Sequence, residues 1–239
     1  MGLGSFRNRI LIAIVLIVLL WQSSRIWFPS MPENTDTHEM NQAEVASEDS
    51  KLNVPSVQKV HVTVFYEALC PDSRSFFVKQ LLPTFEQISE NMEIESIPYG
   101  NAKTTKTDDS YKFDCQHGPT ECEANMIHAC AIEAIKDPKQ QLEYLTCMIK
   151  RNHEPQEIMK SCAKDMSIKY QPILECFNGK HGKELLAKYG EITEKNKSEI
   201  TFIPTISLDQ SFSNQPAILK NLLKQVCLLL KNLPKACSQ

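Results

Sequence analysis

Several features that commonly indicate a function are missing from this sequence of 239 residues. It contains only seven glycines and no glycine-rich loop that could cradle phosphate, and it has no internal repeat. Its net charge is -3, with no basic patch. The missing glycine loop argues against a P-loop or dinucleotide site, and the missing basic patch argues against a nucleic-acid partner.

A long apolar run is also missing. Arg7 and Arg9 precede an unbroken apolar stretch of only twelve residues, 10–21, whereas roughly 20 are needed to span a bilayer. A basic lead before a short apolar core is typical of a secretory signal. Two alternatives stay open: residues 1–28 are a cleaved signal peptide, or residues 10–28 are an uncleaved type II anchor with the arginines in the cytoplasm. Both place the remainder in the secretory lumen.

Cysteine, in contrast, is abundant. Nine cysteines are more than a typical cytosolic protein of this size contains, so the sequence indicates disulfides and an oxidising compartment. Residues 29–57 are polar and acidic without apolar periodicity, which predicts a disordered linker. The folded domain is expected to cover residues 58–239.

The order of the predicted elements indicates the fold. Valines alternate with other residues over 60–65, as in a strand, and Pro71 suits the first turn of the following helix. A second strand is predicted at Met92–Tyr99, a mostly helical block at 101–196, a strand at Phe202–Leu208 and a closing helix over 218–230. This order predicts the α/β class, with a thioredoxin-like core and a disulfide-rich helical insertion at about 101–196.

The predicted turn between the first strand and helix carries Cys70-Pro71-Asp72-Ser73. Thiol–disulfide oxidoreductases place Cys-x-x-Cys there, and the second cysteine is replaced by Ser73. The positive end of the helix dipole favours the Cys70 thiolate, which is the nucleophile in disulfide exchange. Ser73 is in range to donate a hydrogen bond to the Cys70 sulfur, but it cannot resolve a mixed disulfide. Resolution would need an outside thiol or another cysteine.

The remaining cysteines are even in number, so all can pair if Cys70 stays free. Eight cysteines allow 105 connectivities; the close spacing of Cys227 and Cys237 makes that pair plausible. The alternative that Cys70 is itself in a structural bridge, or is a remnant without function, stays open. A zinc site using His117, His128 and neighbouring cysteines is disfavoured by the spacing and by the compartment. We therefore expect no metal. The disulfide candidates are Cys115, Cys122, Cys130, Cys147, Cys162, Cys176, Cys227 and Cys237.

One segment carries a long and specific motif. It resembles the signature C-Q-H-G-x-x-E-C-x-x-N-x-x-x-x-C of the gamma-interferon-inducible lysosomal thiol reductase family. The fixed positions are all matched, by Cys115, Gln116, His117, Gly118, Glu121, Cys122, Asn125 and Cys130. The segments 66–70 and 98–102 are also similar to the family.

The resemblance implies a thioredoxin-like fold and a thiol reductase of endosomes and lysosomes. Its substrates would be unfolded proteins with disulfide bonds, and its reductant an external small thiol without a cofactor. By the same resemblance, Cys70 is the nucleophile, Ser73 stands at the resolving position, and the Ile203 backbone beside a cis-Pro204 holds the substrate. Gln116 and His117 are expected to have a structural role in the insertion.

Two functions therefore follow from the sequence. The first is a disulfide oxidoreductase in which Cys70 attacks and an outside thiol resolves. The second is a redox-weak relative that binds or traps client proteins without turnover. In either case Asn196-Lys197-Ser198 is a plausible glycosylation site, with an unused sequon as the alternative.

Overall fold

The computed structural model describes residues 57–238 together with Ile14 and Ile17. Apart from Ile14, Ile17 and Val57, the predicted signal or anchor and the predicted linker lie outside the described residues. Among the helices that the structure describes, none has the length and apolar character needed to cross a bilayer.

The described domain alternates short strands with helices. In chain order, its elements are β1 (Val60–Tyr66), α1 (Pro71–Phe76), a π-helical turn (Phe77–Leu81), α2 (Leu82–Ile88), a 3₁₀ turn (Ser89–Asn91), β2 (Met92–Pro98), β3 (Lys103–Lys106), β4 (Tyr111–Asp114), α3 (Pro119–Ala134), α4 (Pro138–Lys150), α5 (Pro155–Asp165), α6 (Gln171–Asn178), α7 (Lys180–Lys195), β5 (Thr205–Leu208), α8 (Gln215–Lys220), α9 (Leu222–Cys227) and a 3₁₀ turn (Lys235–Ser238).

The central strand of the main sheet is β1. It pairs in parallel with β2, in a register that runs from Val60 opposite Met92 to Tyr66 opposite Pro98. On its other side it pairs antiparallel with β5, with Val62 opposite Leu208. The valines of β1 are fully buried, as expected for a strand that is covered on both faces. This arrangement confirms the thioredoxin-like core and makes β1 the middle strand of its sheet.

The insertion is helical except at its start. Strands β3 and β4 form an antiparallel hairpin that the sequence pattern did not predict; the rest of the block 101–196 is mostly helical, as predicted. The side chains of β3 are all exposed and those of β4 alternate between partly and fully exposed. In β4 the less exposed Tyr111 and Phe113 alternate with charged residues, and Phe113 packs against the apolar cluster around Tyr99. Strand β3 has no apolar residue and carries no such pattern.

Helix starts in the insertion are set by proline and capping. Helices α3, α4 and α5 each have proline in their first turn, where its missing N–H is not needed. Before α4, the Asp137 carboxylate accepts a hydrogen bond from the Gln140 N–H at 2.7 Å. The starts of these helices are therefore marked in the sequence by proline and, for α4, by the capping aspartate.

The predicted closing helix is broken into two. Asn221 leaves the helical conformation, with φ -153° and ψ 80°, and its side chain accepts a hydrogen bond from the Lys224 N–H at 3.0 Å. Asn221 is thus the N-cap of α9. The continuous helix predicted over 218–230 is wrong, because the apolar spacing carries across a residue that ends one helix and starts the next.

Four disulfides cross-link the described domain. They are Cys115–Cys122, Cys130–Cys176, Cys147–Cys162 and Cys227–Cys237. The second links α3 to α6 and the third links α4 to α5, so both staple helices of the insertion together. Cys70 is the free cysteine of the described residues.

We expect Leu145→Ala to lower the free energy of unfolding by about 2–5 kcal/mol, because Leu145 is fully buried in the core and its truncation leaves a cavity. Leu228→Ala is the matched control, since Leu228 is 69% exposed and should change stability by less than about 0.5 kcal/mol. Urea denaturation of both variants under non-reducing conditions measures the difference. Equal losses in the two variants would contradict the described core.

Candidate active site

Cys70 lies directly before helix α1 and next to the start of β5. It is the N-cap residue of α1, and its carbonyl oxygen accepts a hydrogen bond from the Arg74 N–H at 3.0 Å. Its side chain is only 7% exposed, and its Sγ lies 3.9 Å from the carbonyl oxygen of Ile203. The Ile203–Pro204 peptide bond is cis. The fold therefore brings together the thiol and the Ile203–Pro204 segment, which are far apart in sequence.

Ser73 is fully buried, and its hydroxyl points back toward the end of β1. Its Oγ accepts a hydrogen bond from the Glu67 N–H at 3.4 Å. Among the hydrogen bonds of the described residues there is none between Ser73 and the Cys70 sulfur, so the expected contact is not made. Ser73 instead connects the first turn of α1 to the segment that leads into Cys70.

The other cysteines offer no second thiol to this site. All eight are in disulfides within residues 57–238. The zinc alternative likewise loses its cysteine ligands, and its His128 is buried, with Nδ1 2.9 Å from the Tyr66 hydroxyl. Burial lowers the pKa of His128 to about 3. His128 is therefore a neutral core residue, and a thiol that resolves Cys70 would have to come from outside.

Two asparagines hold the turn before Cys70. The Ala68 N–H donates to Asn125 Oδ1 at 2.8 Å, and the Ala68 carbonyl oxygen accepts from Asn152 Nδ2 at 3.1 Å. Both backbone groups of one residue are thus bound by the insertion. Asn125 belongs to the signature motif, whereas Asn152 lies between α4 and α5 and has no signal in the sequence. Together they fix the path by which β1 leads into Cys70.

A buried acidic cluster lies behind this turn. His117 Nδ1 is 2.6 Å from Glu121 Oε2 and 3.4 Å from Glu67 Oε2. Glu67 and Glu121 are almost fully buried, at 1% and 0% exposure. Glu67 Oε1 accepts from the Asn101 N–H at 2.7 Å, whereas Glu67 Oε2 has no hydrogen-bond partner. The signature residues His117 and Glu121 therefore pack against Glu67, a residue to which the sequence assigned no role.

The chemistry of this cluster is set by burial. Burial raises the pKa of the Glu67 carboxyl; the Asn101 N–H opposes this shift, Glu121 adds to it and His117 opposes it. One ligand atom from each of Glu67, His117 and Glu121 lies within 4.8 Å of the others. Such a set could hold a divalent cation, although the hydrogen bond between His117 and Glu121 already pairs two of the three groups.

The rest of the signature segment supports this cluster. Gln116 Oε1 accepts from Asn101 Nδ2 at 2.7 Å, which ties the motif to the loop after β2. Gly118 has φ +83° immediately before α3, a conformation that favours glycine. Cys115 and Cys122 form their disulfide within a small apolar cluster that includes Tyr99.

The predicted glycosylation residue lies at the end of α7. Asn196 is partly buried, and its Nδ2 donates a hydrogen bond to the Ile192 carbonyl oxygen at 2.9 Å. A glycan attached there would displace this hydrogen bond. Its use as a glycosylation site stays a prediction.

Comparison with known proteins agrees with the signature motif. A family model described as gamma interferon inducible lysosomal thiol reductase matches residues 61–166. A gamma-interferon-inducible lysosomal thiol reductase-like protein of Anopheles gambiae is 33% identical over 169 residues, which are 66% of this chain and 70% of that protein. The gamma-interferon-inducible lysosomal thiol reductase of Carassius auratus is 32% identical over 188 residues, covering 75% of this chain and 72% of that protein.

A solved structure agrees with the fold. The crystal structure of Chlamydia trachomatis DsbA is similar with a TM-score of 0.51 at 15% sequence identity, and the match covers 72% of this chain and 87% of that one. At this identity the likeness shows the thioredoxin-like fold alone.

We expect Glu67→Gln to remove a pH dependence of stability. The pKa of Glu67 is raised in the folded state, so its neutral form adds to the free energy of unfolding. This contribution is fully present below the unfolded-state pKa of about 4.3 and is lost as the pH rises through the folded-state pKa. Glutamine is neutral at every pH. The free energy of unfolding of the wild type, relative to Glu67→Gln, should therefore fall over the range that begins at about pH 4 and extends upward through the raised folded pKa.

Denaturant unfolding at several pH values in this range measures that difference. Glu86→Gln is the matched control, because Glu86 is exposed on α2 and its replacement should give no comparable trend. A constant difference between the wild type and Glu67→Gln, or one that grows as the pH rises, would contradict the raised pKa of Glu67.

Proposed function

Because this chain belongs to the gamma-interferon-inducible lysosomal thiol reductase family, we propose that it is a thiol reductase that reduces protein disulfides through Cys70. Its place of action would be the lumen of endosomes, lysosomes or the secretory pathway. The observation that carries the proposal is the state of the cysteines: Cys70 is free at the start of α1, and the other eight are oxidised. The free thiol thus lies at the strand-to-helix turn, where thiol–disulfide oxidoreductases carry the cysteine that attacks a client disulfide.

The first step needs only Cys70. Its thiolate attacks one sulfur of a client disulfide; a Cys70–client disulfide forms, the client disulfide breaks, and the other client sulfur leaves as a thiolate that takes a proton from solvent. An extended client chain would lie beside Ile203, whose carbonyl oxygen is 3.9 Å from Cys70 Sγ and can accept a hydrogen bond from the client backbone.

The second step cannot be intramolecular in this chain. Ser73 occupies the resolving position and has no thiol, and its hydroxyl is engaged with the Glu67 N–H. An external small thiol must therefore release the client. The alternative function, capture of clients without turnover, follows from the same observation, because the Cys70–client disulfide would persist wherever small thiols are scarce.

We expect Cys70→Ser to abolish catalysed reduction. With a denatured disulfide-bonded protein as substrate near pH 5 and a small thiol supplied, the variant should fall to the rate of the thiol alone, while the wild type completes many turnovers. Near-identical unfolding curves for the two proteins would show that the loss is chemical. If Cys70→Ser kept the wild-type rate, the reductase proposal would be wrong.

We expect Ser73→Cys to shorten the lifetime of the Cys70–client disulfide. Without a small thiol, the wild type should accumulate this adduct, which acid quenching and non-reducing electrophoresis detect, whereas Ser73→Cys should release the client by intramolecular attack. Ser75→Cys, also on α1, controls for an added thiol outside the motif and should accumulate the adduct. Rapid release by the wild type would contradict the assignment of Ser73 to the resolving position.

A further inference from the structure

A groove lies beside Cys70, between helix α1 and the segment that leads into β5. It encloses about 300 Å³, within the range of roughly 300–1,000 Å³ that is usual for small-molecule sites. Ile203 lines it, and the Ile203 carbonyl oxygen is also the group that faces Cys70 Sγ. Cys70 itself does not line the groove, so a thiol bound there would reach the sulfur past the Ile203 backbone.

The groove has an apolar wall and a charged rim. Phe76 and Pro204 are buried, and Phe202 is 41% exposed beside them. Lys79 and Lys220 supply two ammonium groups to the lining. Asp72 supplies one carboxylate to the same lining.

These three charged groups are available to a ligand. Lys79, Lys220 and Asp72 are all exposed, and none of them forms an ion pair within the part of the chain that the structure describes. The groove thus presents two positive charges and one negative charge. Its charge complement is a small molecule with two carboxylates and one ammonium group.

We propose that this groove, which we call the reductant groove, binds the thiol that regenerates Cys70, and that this thiol is a small peptide with two carboxylates and one ammonium group, of the chemical class of glutathione. The proposal rests on the proposed function, because it names the reductant of the same site. Ser73 makes an outside thiol necessary, and Cys70 is only 7% exposed. A bound and oriented thiol therefore has an advantage over one that must reach the sulfur by random collision.

The cycle consumes two molecules of the peptide thiol. The first, as its thiolate, attacks the Cys70 sulfur of the Cys70–client disulfide; that bond breaks, the client leaves as a thiolate that takes a proton from solvent, and a Cys70–peptide disulfide forms. The second thiolate attacks the peptide sulfur of this disulfide, which releases the oxidised peptide disulfide and the Cys70 thiolate. The two electrons that reduce the client disulfide thus come from the two peptide thiols.

The test is a kinetic comparison of thiols. Reduction of a denatured disulfide-bonded protein is measured with glutathione, with its diethyl ester, which lacks both carboxylate charges, and with neutral 2-mercaptoethanol. The double variant Lys79→Gln/Lys220→Gln, which we call the groove variant, is compared with the wild type and with the control variant Lys112→Gln/Lys183→Gln. The control lysines are exposed and do not line the groove.

We expect the KM for glutathione to rise roughly fivefold in the groove variant, the effect of two solvent-exposed ion pairs. The kcat at saturating glutathione, the KM for the two thiols without carboxylates and all values of the control variant should stay unchanged. An unchanged KM for glutathione would overturn the proposal. A rise in the KM for the protein substrate alone would also overturn it, because the groove would then bind an acidic client segment.

A binding experiment separates failure of the groove from failure of the proposed function. S-methylglutathione cannot react, and its titration into the wild type, followed by NMR, should give saturable shifts that the groove variant loses. If the wild type reduced no substrate with any thiol but still bound S-methylglutathione in this way, the proposed function would fall and the groove would stand as a binding site. Absence of binding would overturn the groove.

Discussion

The hydrogen bonds to Ala68 are the constraint on which the rest of the site depends. Asn125 from the insertion accepts the Ala68 N–H, and Asn152 donates to its carbonyl oxygen. Because these bonds lie at the end of the central strand, they tie the helical insertion to the sheet where the chain turns into Cys70. The insertion is therefore part of the site: without it, the position of the thiol relative to Ile203 would rest on the sheet and α1 alone.

Much of the core could be predicted because burial leaves a pattern in the sequence. The alternating valines of β1 and the proline at the start of α1 each have a direct physical reason. The β3–β4 hairpin was missed because β3 is exposed and has no apolar residue, and because the alternation in β4 spans only the four residues Tyr111–Asp114. The break at Asn221 was missed for a different reason. Ile218 before it and Leu222 and Val226 after it are buried in the same core, so the apolar spacing continues across the capping residue.

The site was predicted unevenly for similar reasons. Cys70 stands out because its place at a strand-to-helix turn is itself a signal, and the signature residues stand out as a motif. Glu67 and Asn152 act through contacts with residues that are distant in sequence, and single acidic or amide residues carry no pattern. The hydrogen bond of Ser73 was predicted wrongly because sequence spacing allows its hydroxyl two partners: the Cys70 sulfur as an acceptor, or the Glu67 N–H as a donor. Only the packing of α1 against the end of β1 decides that it faces Glu67.

The burial of the disulfides has a consequence for a protein that works in the presence of reductant. A solution thiol that recharged Cys70, as proposed, would meet the protein's own four bridges as competing substrates. Cys130 and Cys162 are 1% and 0% exposed, so one sulfur of each bridge that holds the insertion is shielded, and an incoming thiolate can approach only through the partly buried Cys176 and Cys147. Packing thus acts as a kinetic filter: it directs reducing equivalents toward disulfides that unfolding has exposed and away from those that keep the reductase folded.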